Sequence, residues 1–472
     1  MNNQINTDVG IIGAGISGLA SAHFLNRNGI DVHVIEKNSA IGGSIRSERR
    51  DGFLVEYGPN SALDTTPILH DLFSQLGIDG SLEYASEQAK NRYIVRNGKL
   101  IPLPMSPPAF IKTKLFSASA KLGLLKEPFI GKANPEADES LAEFVMRRLG
   151  NEFLDYAINP FVAGVYAGNP DSLSVKSAFP KLYQLEQEYG SLIKGTFLGA
   201  KKRRKSAETS KSKARLFSFK DGLQTIIQAI GNELENNVST NAPITAIRKN
   251  DAGYEVDFSG GERSMRLNCR TLLFTIPAYA YNDLRFEFNF QLHDVFAQIY
   301  YPPVTMVFLG FKQNPTDMPL DGFGFLVPEK ETRQILGTIW SSTIFSNRAL
   351  QGGAALTTFV GGSRQPEIAL KPDDELTELV FKELHELMGL KQKPELVVIK
   401  KWEKAIPQYN IGHKAIIEKI EQFEAANDGI FISGNFRGGI SVADCVKQAF
   451  GFSKRINAYL EKTSEHILNE AN

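Results

Sequence analysis

The sequence predicts an α/β protein, in which a Rossmann-type dinucleotide-binding domain joins a mixed-sheet domain and a helical insertion. Three observations predict it. A β-branched run at 9–12 leads straight into a glycine-spaced turn and a helical pattern. A second strand, glycine turn and helix pattern recurs at 429–449, and the stretch between about 95 and 210 is dominated by helical spacing. A chain of 472 residues also exceeds what one hydrophobic core usually serves.

In the opening segment, "DVGIIGAGISGLASAHFLNRNGIDVHVIEKN", Val9, Ile11 and Ile12 suit a buried parallel strand, and Gly13, Gly15 and Gly18 follow in GxGxxG register. Gly13 permits the tight turn, Gly15 admits a pyrophosphate beside the backbone, and Gly18 lets the helix approach the strand. The free amides of the helix start then face the phosphates. Gly29 closes the helix, and Val32, Val34 and Ile35 form the next strand. Glu36 ends that strand, where a carboxylate can accept a ribose hydroxyl and disfavours a 2′-phosphate. Strand, glycines, helix and acid occur in register, so the segment reads as a dinucleotide site.

Further along, "AIGGSIRS" places Gly42, Gly43 and Arg46 just after the acidic strand end, and "EYGPN" adds Gly58, Pro59 and Asn60. At the far end, "GIFISGNFRGGISVADCVKQA" reads as strand, turn and a helix opening near Ser441, whose amides offer a second anion-facing set. This order resembles the amine oxidase and porphyrinogen oxidase branch of flavoproteins. The resemblance implies an amine oxidase-like flavoprotein fold and FAD as the dinucleotide. It also implies flavin-side contacts from the residues just named and from Gly434, Asn435, Gly438, Gly439, Ser441 and Val442. Asp444 reads equally as a plain first-turn acid. Ile244 in "NAPITAI" either touches the adenine end or is an ordinary strand residue.

Composition excludes several classes. Lys+Arg and Asp+Glu balance at 53 each, so no global field argues for nucleic acid. Cys269 and Cys445 are the only cysteines, which rules out a disulfide framework and fits a reducing, cytoplasmic setting. No signal peptide is visible at the start, and the apolar runs fall well short of the roughly 20 residues a spanning helix needs. The stretch 201–215 carries eight basic residues and one acid and reads as a solvated loop. Upstream, "LIPLPMSPPAFIKTKLFSASAKLGLL" combines prolines with an apolar, helix-like run that suits either a bilayer surface or a subdomain packed on the core. In the helical region, Leu141, Phe144, Val145 and Leu149 share a face and Gly150 stops the helix, while "PFVAGVYAGNP" reads as a glycine-punctuated turn open to a flat ligand.

Taken together, "NRYIVRNGKLIPLP", "NPFVAGVYAGNPDSLS", "FPKLYQLEQEYGSLIKG", "GFGFLVP", "LGTIWSS", "TTFVGGSR" and "GNFRGGISVAD" occur in an order similar to that of the oxygen-dependent protoporphyrinogen oxidases, across nearly the whole chain. That resemblance implies six-electron oxidation of protoporphyrinogen IX in haem synthesis, with O2 reduced to hydrogen peroxide. It assigns Arg92 to a substrate propionate, which a planar guanidinium holds well. Gly164 and Val165 become a wall of the site, and Leu326, Ile339 and Phe359 a clamp on the macrocycle. Val165 and Tyr166 are bulkier than in some plant-like members, and Ile339 stands where those have leucine. Coproporphyrinogen III remains an alternative substrate, with Arg92 favouring protoporphyrinogen; an amine or carotenoid oxidoreductase is the more distant alternative. The resemblance further implies a ferrochelatase partner, a homodimer and peripheral contact with the cytoplasmic membrane face. No acid, base or metal ligand is assigned, and His413 reads as a structural or surface residue. The implied domains are 1–60, 215–285 and 405–472 for FAD, 61–95 and 286–404 for substrate, and 96–214 for the helical, membrane-facing part.

Overall fold

In a computed structural model that describes residues 4–203, 214–261 and 263–470, the opening run forms strand Gln4–Ile12, with positions 9–12 fully sequestered. It lies between Val32–Ile35 and Arg263–Phe274, parallel to both, in a seven-stranded sheet. Val238–Ser239 extends one side and Ile430–Ile432 joins the end of Arg263–Phe274 in parallel. The antiparallel strands Gly253–Gly260 and Ile244–Asn250 complete the other side. Strands buried on both faces read as continuous apolar runs rather than alternating ones, as the opening segment does. Helices Ile16–Arg27, Gln224–Glu233 and Val442–Glu470 cover one face through Leu19, Leu25, Ile226, Val446 and Ile456, and Phe274, Phe290 and Phe423 fill the other. The two ends of the chain therefore share one core. Gly29, at φ +77° just past the first helix, takes the terminating role the sequence predicts.

A second seven-stranded sheet runs Leu396–Trp402, Val304–Phe311, Ala354–Gly361, Gly337–Trp340, Gly322–Leu326, Asn91–Arg96 and Lys99–Pro102. It is mixed, because Gly322–Leu326 and Asn91–Arg96 pair in parallel while their neighbours are antiparallel. Helix Asp373–Met388 packs on one face through Val380 and Leu384, against Val307, Leu309 and Val360. On the opposite face Phe53, Met306 and Phe308 form a smaller cluster. Lys99–Pro102 carries this sheet past residue 95, where the sequence places the start of the helical part.

The helical part has its own core, in which Leu141, Phe144 and Val145 are buried as their spacing predicts and Gly150 follows the helix end at φ +89°. Ser140 and Glu143 close a reciprocal capping box at the start of that helix. Two readings are corrected. The apolar run after residue 109 forms two short helices, Pro107–Lys112 and Ala118–Gly123, with Leu115 and Phe116 buried in the link between them. The segment read as a glycine-punctuated turn is helix Asn159–Tyr166, and the chain turns only at Ala167, φ +51°. The chain is helical without a break from Asn151, and Pro160 follows directly on a π-helical turn, Leu154–Ile158, whose altered bonding accommodates a residue without an N–H, so neither proline nor glycine breaks the helix. Exposed apolar side chains concentrate in this part, among them Ile111, Leu122, Phe129 and Phe197. No described helix is long and apolar enough to cross a membrane. Most of the basic stretch 201–215 lies outside the described residues.

Candidate flavin and substrate site

The first glycine turn is held from below. The Thr275 hydroxyl lies 3.0 and 2.9 Å from the carbonyl oxygens of Ile12 and Gly13, to which it donates. A Cβ on Gly18 would fall 2.0 Å from Gly13 O, so this glycine is demanded by packing alone. A Cβ on Gly15 would meet nothing within 4 Å, which leaves open space at the start of the helix where an anion would sit. Glu36 is buried at the end of the neighbouring strand; its carboxylate accepts from the Ala14 amide at 2.9 Å and from the Asn38 amide at 2.9 Å. Ala242 N donates to Glu36 O, which brings the "NAPITAI" segment and Ile244 to the same strand end. Ile244 itself opens a strand and packs against the apolar cluster there.

The Gly-Gly turn docks on this unit: Gly42 N donates to Ala14 O at 2.7 Å, and Gly42 bridges Gly15 in parallel. Gly43 is exposed, and the Arg46 guanidinium lies 5.2 Å above the Tyr57 ring. Gly58 presses on the same turn, since a Cβ there would be 1.9 Å from Ser44 O. Pro59 follows, and Asn60 reaches the second sheet, its Oδ1 accepting from Ser341 Oγ at 3.3 Å.

At the far end, Gly434 and Gly439 take φ +147° and +132°, the left-handed side that few other residues reach. Ser441 caps the last helix reciprocally with Asp444: the Asp444 amide donates to Ser441 Oγ and that hydroxyl donates to the Asp444 carboxylate at 2.7 Å. This supports the first-turn reading of Asp444. Val442 opens the helix and is buried in the same cluster as Val446. Two side chains that no local motif marks hold the glycine loop. The Tyr409 phenol donates to Asn435 O at 2.7 Å and accepts from Gly439 N at 2.9 Å. His413 stacks on Tyr409, centroids 4.3 Å apart, and donates Nε2–H to Phe436 O at 2.9 Å. Burial lowers the His413 pKa to about 4, so the ring stays neutral and serves structure, not proton transfer. Thr275, Tyr409 and His413 were not readable as site residues, because each acts on a segment far away in sequence.

The strand register gathers the remaining residues onto one face of the second sheet. Ile94 pairs with Leu326, Leu326 with Gly337, Gly337 with Phe359, and Ile339 lies opposite both Gly324 and Thr357. Because side chains alternate across a strand, Arg92, Ile94, Leu326, Ile339 and Phe359 share that face, while Phe325, Thr338 and Thr358 point the other way. Ile339 and Phe359 are the one incompletely buried position in each of their strands, and Leu326 is likewise half-buried. Gly337 sits between Leu326 and Phe359, where a Cβ would come 3.0 Å from Leu326 Cδ2, so the Leu326 side chain leans over it in this apolar surface. Gly164 on helix Asn159–Tyr166 comes directly against it: a Cβ there would lie 2.3 Å from Leu326 Cδ2. Val165, the next residue, is 43% exposed and turns toward the surface. Arg92 is exposed at the end of the face, with its guanidinium 5.7 Å from the Phe323 ring centroid, and no carboxylate among the described residues pairs with it.

Two buried polar atoms beside these segments, Asn60 Nδ2 and Ser433 Oγ, have no hydrogen-bond partner among the described residues. Buried polar atoms are ordinarily paired, so both fit a polar ligand lying between the glycine segments. No group of histidine, cysteine or acidic residues among the described residues could hold a metal.

A family model for flavin containing amine oxidoreductases matches residues 16–456, and the chain belongs to that family. It is a flavin-dependent oxidoreductase with FAD as cofactor and the α/β amine oxidase-like flavoprotein fold. The chain is 34% identical over 483 residues to mitochondrial protoporphyrinogen oxidase of Nicotiana tabacum, a match covering 97% of this chain and 96% of that one. It is 28% identical over 458 residues to coproporphyrinogen III oxidase of Bacillus subtilis (strain 168), covering 93% and 95%. The crystal structure of an Exiguobacterium sp. protein provisionally named as a protoporphyrinogen oxidase superposes with a TM-score of 0.81 at 26% identity, covering 96% of this chain and 99% of that one.

Proposed function

We propose that the protein oxidises protoporphyrinogen IX to protoporphyrin IX, using FAD and O2 and releasing hydrogen peroxide, as a step of tetrapyrrole and haem synthesis. The observation that carries this reading is an exposed cation, Arg92, that no carboxylate among the described residues pairs with, at the end of an apolar sheet face formed by Leu326, Ile339 and Phe359 and closed on one side by Gly164. A flat, largely apolar macrocycle with carboxylates on one edge matches that distribution of charge and greasy surface. Similarity to named porphyrinogen oxidases over almost the whole chain supports it.

FAD, when bound, supplies two-electron oxidation and reoxidation by O2, so that full conversion of the porphyrinogen takes three such turnovers. The chain's own residues bind, orient and exclude water. Gly13 and Gly15 with the following helix take the pyrophosphate, Gly18 lets that helix pack against the turn, Glu36 takes a ribose hydroxyl, and Ile244 lies toward the adenine end. The Gly42, Gly43 and Arg46 turn, the Gly58, Pro59 and Asn60 segment, and Gly434, Asn435, Gly438, Gly439, Ser441 and Val442 surround the flavin half. Arg92 binds a propionate and sets which edge of the disc points inward, while the aliphatic face holds the ring plane and keeps water away from it. No proton acceptor is assigned among the side chains.

Coproporphyrinogen III is the second reading, favoured by the match to the bacterial enzyme of that name. A side-by-side measurement of kcat/KM for the two porphyrinogens decides between them. Protoporphyrinogen IX should turn over faster. In Arg92→Ala, kcat/KM should fall roughly tenfold to a hundredfold, as for a lost hydrogen bond to a charged group, with FAD affinity unchanged. Preference for coproporphyrinogen III, or an Arg92→Ala variant with unaltered kcat/KM, would contradict the assignment.

A further inference from the structure

The stretch 408–413 is bonded on one side to the helical part and on the other to the glycine loop of the flavin site. Toward the helical part, Gln408 Nε2 donates to Tyr166 O at 2.8 Å, Ser174 N donates to Tyr409 O at 2.9 Å, and Ile411 N donates to Ser172 O at 2.9 Å. Gly412 N donates to the Asp138 carboxylate at 2.8 Å. Toward the loop, the Tyr409 phenol bridges Asn435 O and Gly439 N, and His413 holds Phe436 O. Gln408, Tyr409 and His413 are all buried, so water cannot readily replace the bonds their side chains make. Tyr409 also belongs to the apolar core of the helical part, and Ile440, one residue past Gly439, packs against that same core.

The loop is anchored at its middle by buried Phe436 and by Arg437 on Glu421 and Glu424, and three of its backbone groups, Asn435 O, Phe436 O and Gly439 N, are fixed by a tyrosine and a histidine from another segment. We infer that Tyr409 is a positioning residue that ties the flavin-facing loop 434–439 to the helical part, so that filling the flavin site orders the stretches 166–174 and 408–413 as well. This inference rests on the flavin site alone and stands whichever porphyrinogen is the substrate.

Tyr409→Phe keeps the ring stacked on His413 and removes only the bridging hydroxyl. Asn435 O and Gly439 N then lose a shared buried partner, and the loop relaxes. The dissociation constant of FAD from the reconstituted apoprotein should rise at least about tenfold, as for the loss of one or two buried hydrogen bonds, and the visible circular dichroism of the bound flavin should change. A residue that merely stabilised the fold would lower the unfolding midpoint and leave the flavin spectrum as it is. Tyr281→Phe is the control, because the Tyr281 hydroxyl is buried with no hydrogen-bond partner among the described residues; its FAD affinity should equal that of the wild type. Should Tyr409→Phe not fold, amide hydrogen exchange of the wild-type protein gives the answer. Added FAD should slow exchange at Ser174, Ile411 and Gly412 as well as at 434–439, measured relative to helix Asp373–Met388. FAD affinity within twofold of wild type together with an unchanged flavin spectrum in Tyr409→Phe, or slowing confined to 434–439, would overturn the inference.

Discussion

Gly15 and Gly18 stand three residues apart in one motif, yet the space around them differs completely. Gly15 has φ −73°, a backbone that any residue adopts, and no atom lies within 4 Å of where a methyl group would sit, whereas the same methyl on Gly18 would strike a carbonyl oxygen. Gly15→Ala should therefore leave the apoprotein's stability within about 0.5 kcal/mol of wild type and raise the FAD dissociation constant at least about tenfold. Gly18→Ala should destabilise the apoprotein itself by about 1–3 kcal/mol, since overpacking forces the backbone to move. Urea unfolding of both apoproteins and FAD titration of both variants check this; FAD affinity unaltered in Gly15→Ala would contradict the assignment of that space to the cofactor. The spacing of these glycines was legible in the sequence because both fall within one short strand-turn-helix segment. Tyr409 and His413 were not, because a tyrosine four residues before a histidine carries no sign that its partner is a loop near residue 435.

Strands and helices followed local patterns where the pattern and the packing agree, as in Gln4–Ile12 and in the helix ending before Gly150. The helix Asn159–Tyr166 was misread because its glycine serves a neighbour: Gly164 is there for Leu326 to approach, which local propensity does not reveal. A buried carboxylate joins other elements. Glu56, at the end of strand Phe53–Glu56, accepts from Ser47 Oγ at 2.5 Å and from Leu223 N at 3.1 Å, and lies 3.5 Å from Arg348 Nη2. Loss of hydration outweighs the arginine at that distance and raises the Glu56 pKa to about 7; burial also pulls Arg348 below the usual arginine range. A raised carboxyl pKa means that the folded state favours the proton. The stability from this group is complete below about pH 4.5 and is lost as pH rises through about 7, a swing of up to about 3 kcal/mol. Glu56→Gln should flatten the dependence of the urea midpoint on pH between 5 and 8. An equally steep dependence in the variant would show that the carboxyl titrates elsewhere.

At the scale of the whole molecule, the dinucleotide unit is assembled from the two ends of the chain, and its halves meet in one sheet through Arg263–Phe274. The assembly was legible because both halves carry their own strand, glycine turn and helix. The face we propose for the substrate was suggested only by resemblance, since Arg92, Leu326, Ile339 and Phe359 come from four strands and become neighbours through register alone. Contacts such as Asn60 with Ser341, Trp402 Nε1 with Tyr57 O and Phe53 with Met306 and Phe308 join the flavin unit to that face, the 408–413 stretch joins it to the helical part, and none of these has a sequence signature.

The most direct measurement is an anaerobic titration of the FAD-loaded protein with protoporphyrinogen IX, following the visible absorbance of the flavin. The flavin should bleach, with porphyrin absorption growing in as it does, while simple amines leave the spectrum untouched. A flavin that stays oxidised with protoporphyrinogen IX and with coproporphyrinogen III would rule out porphyrinogen oxidation at this site.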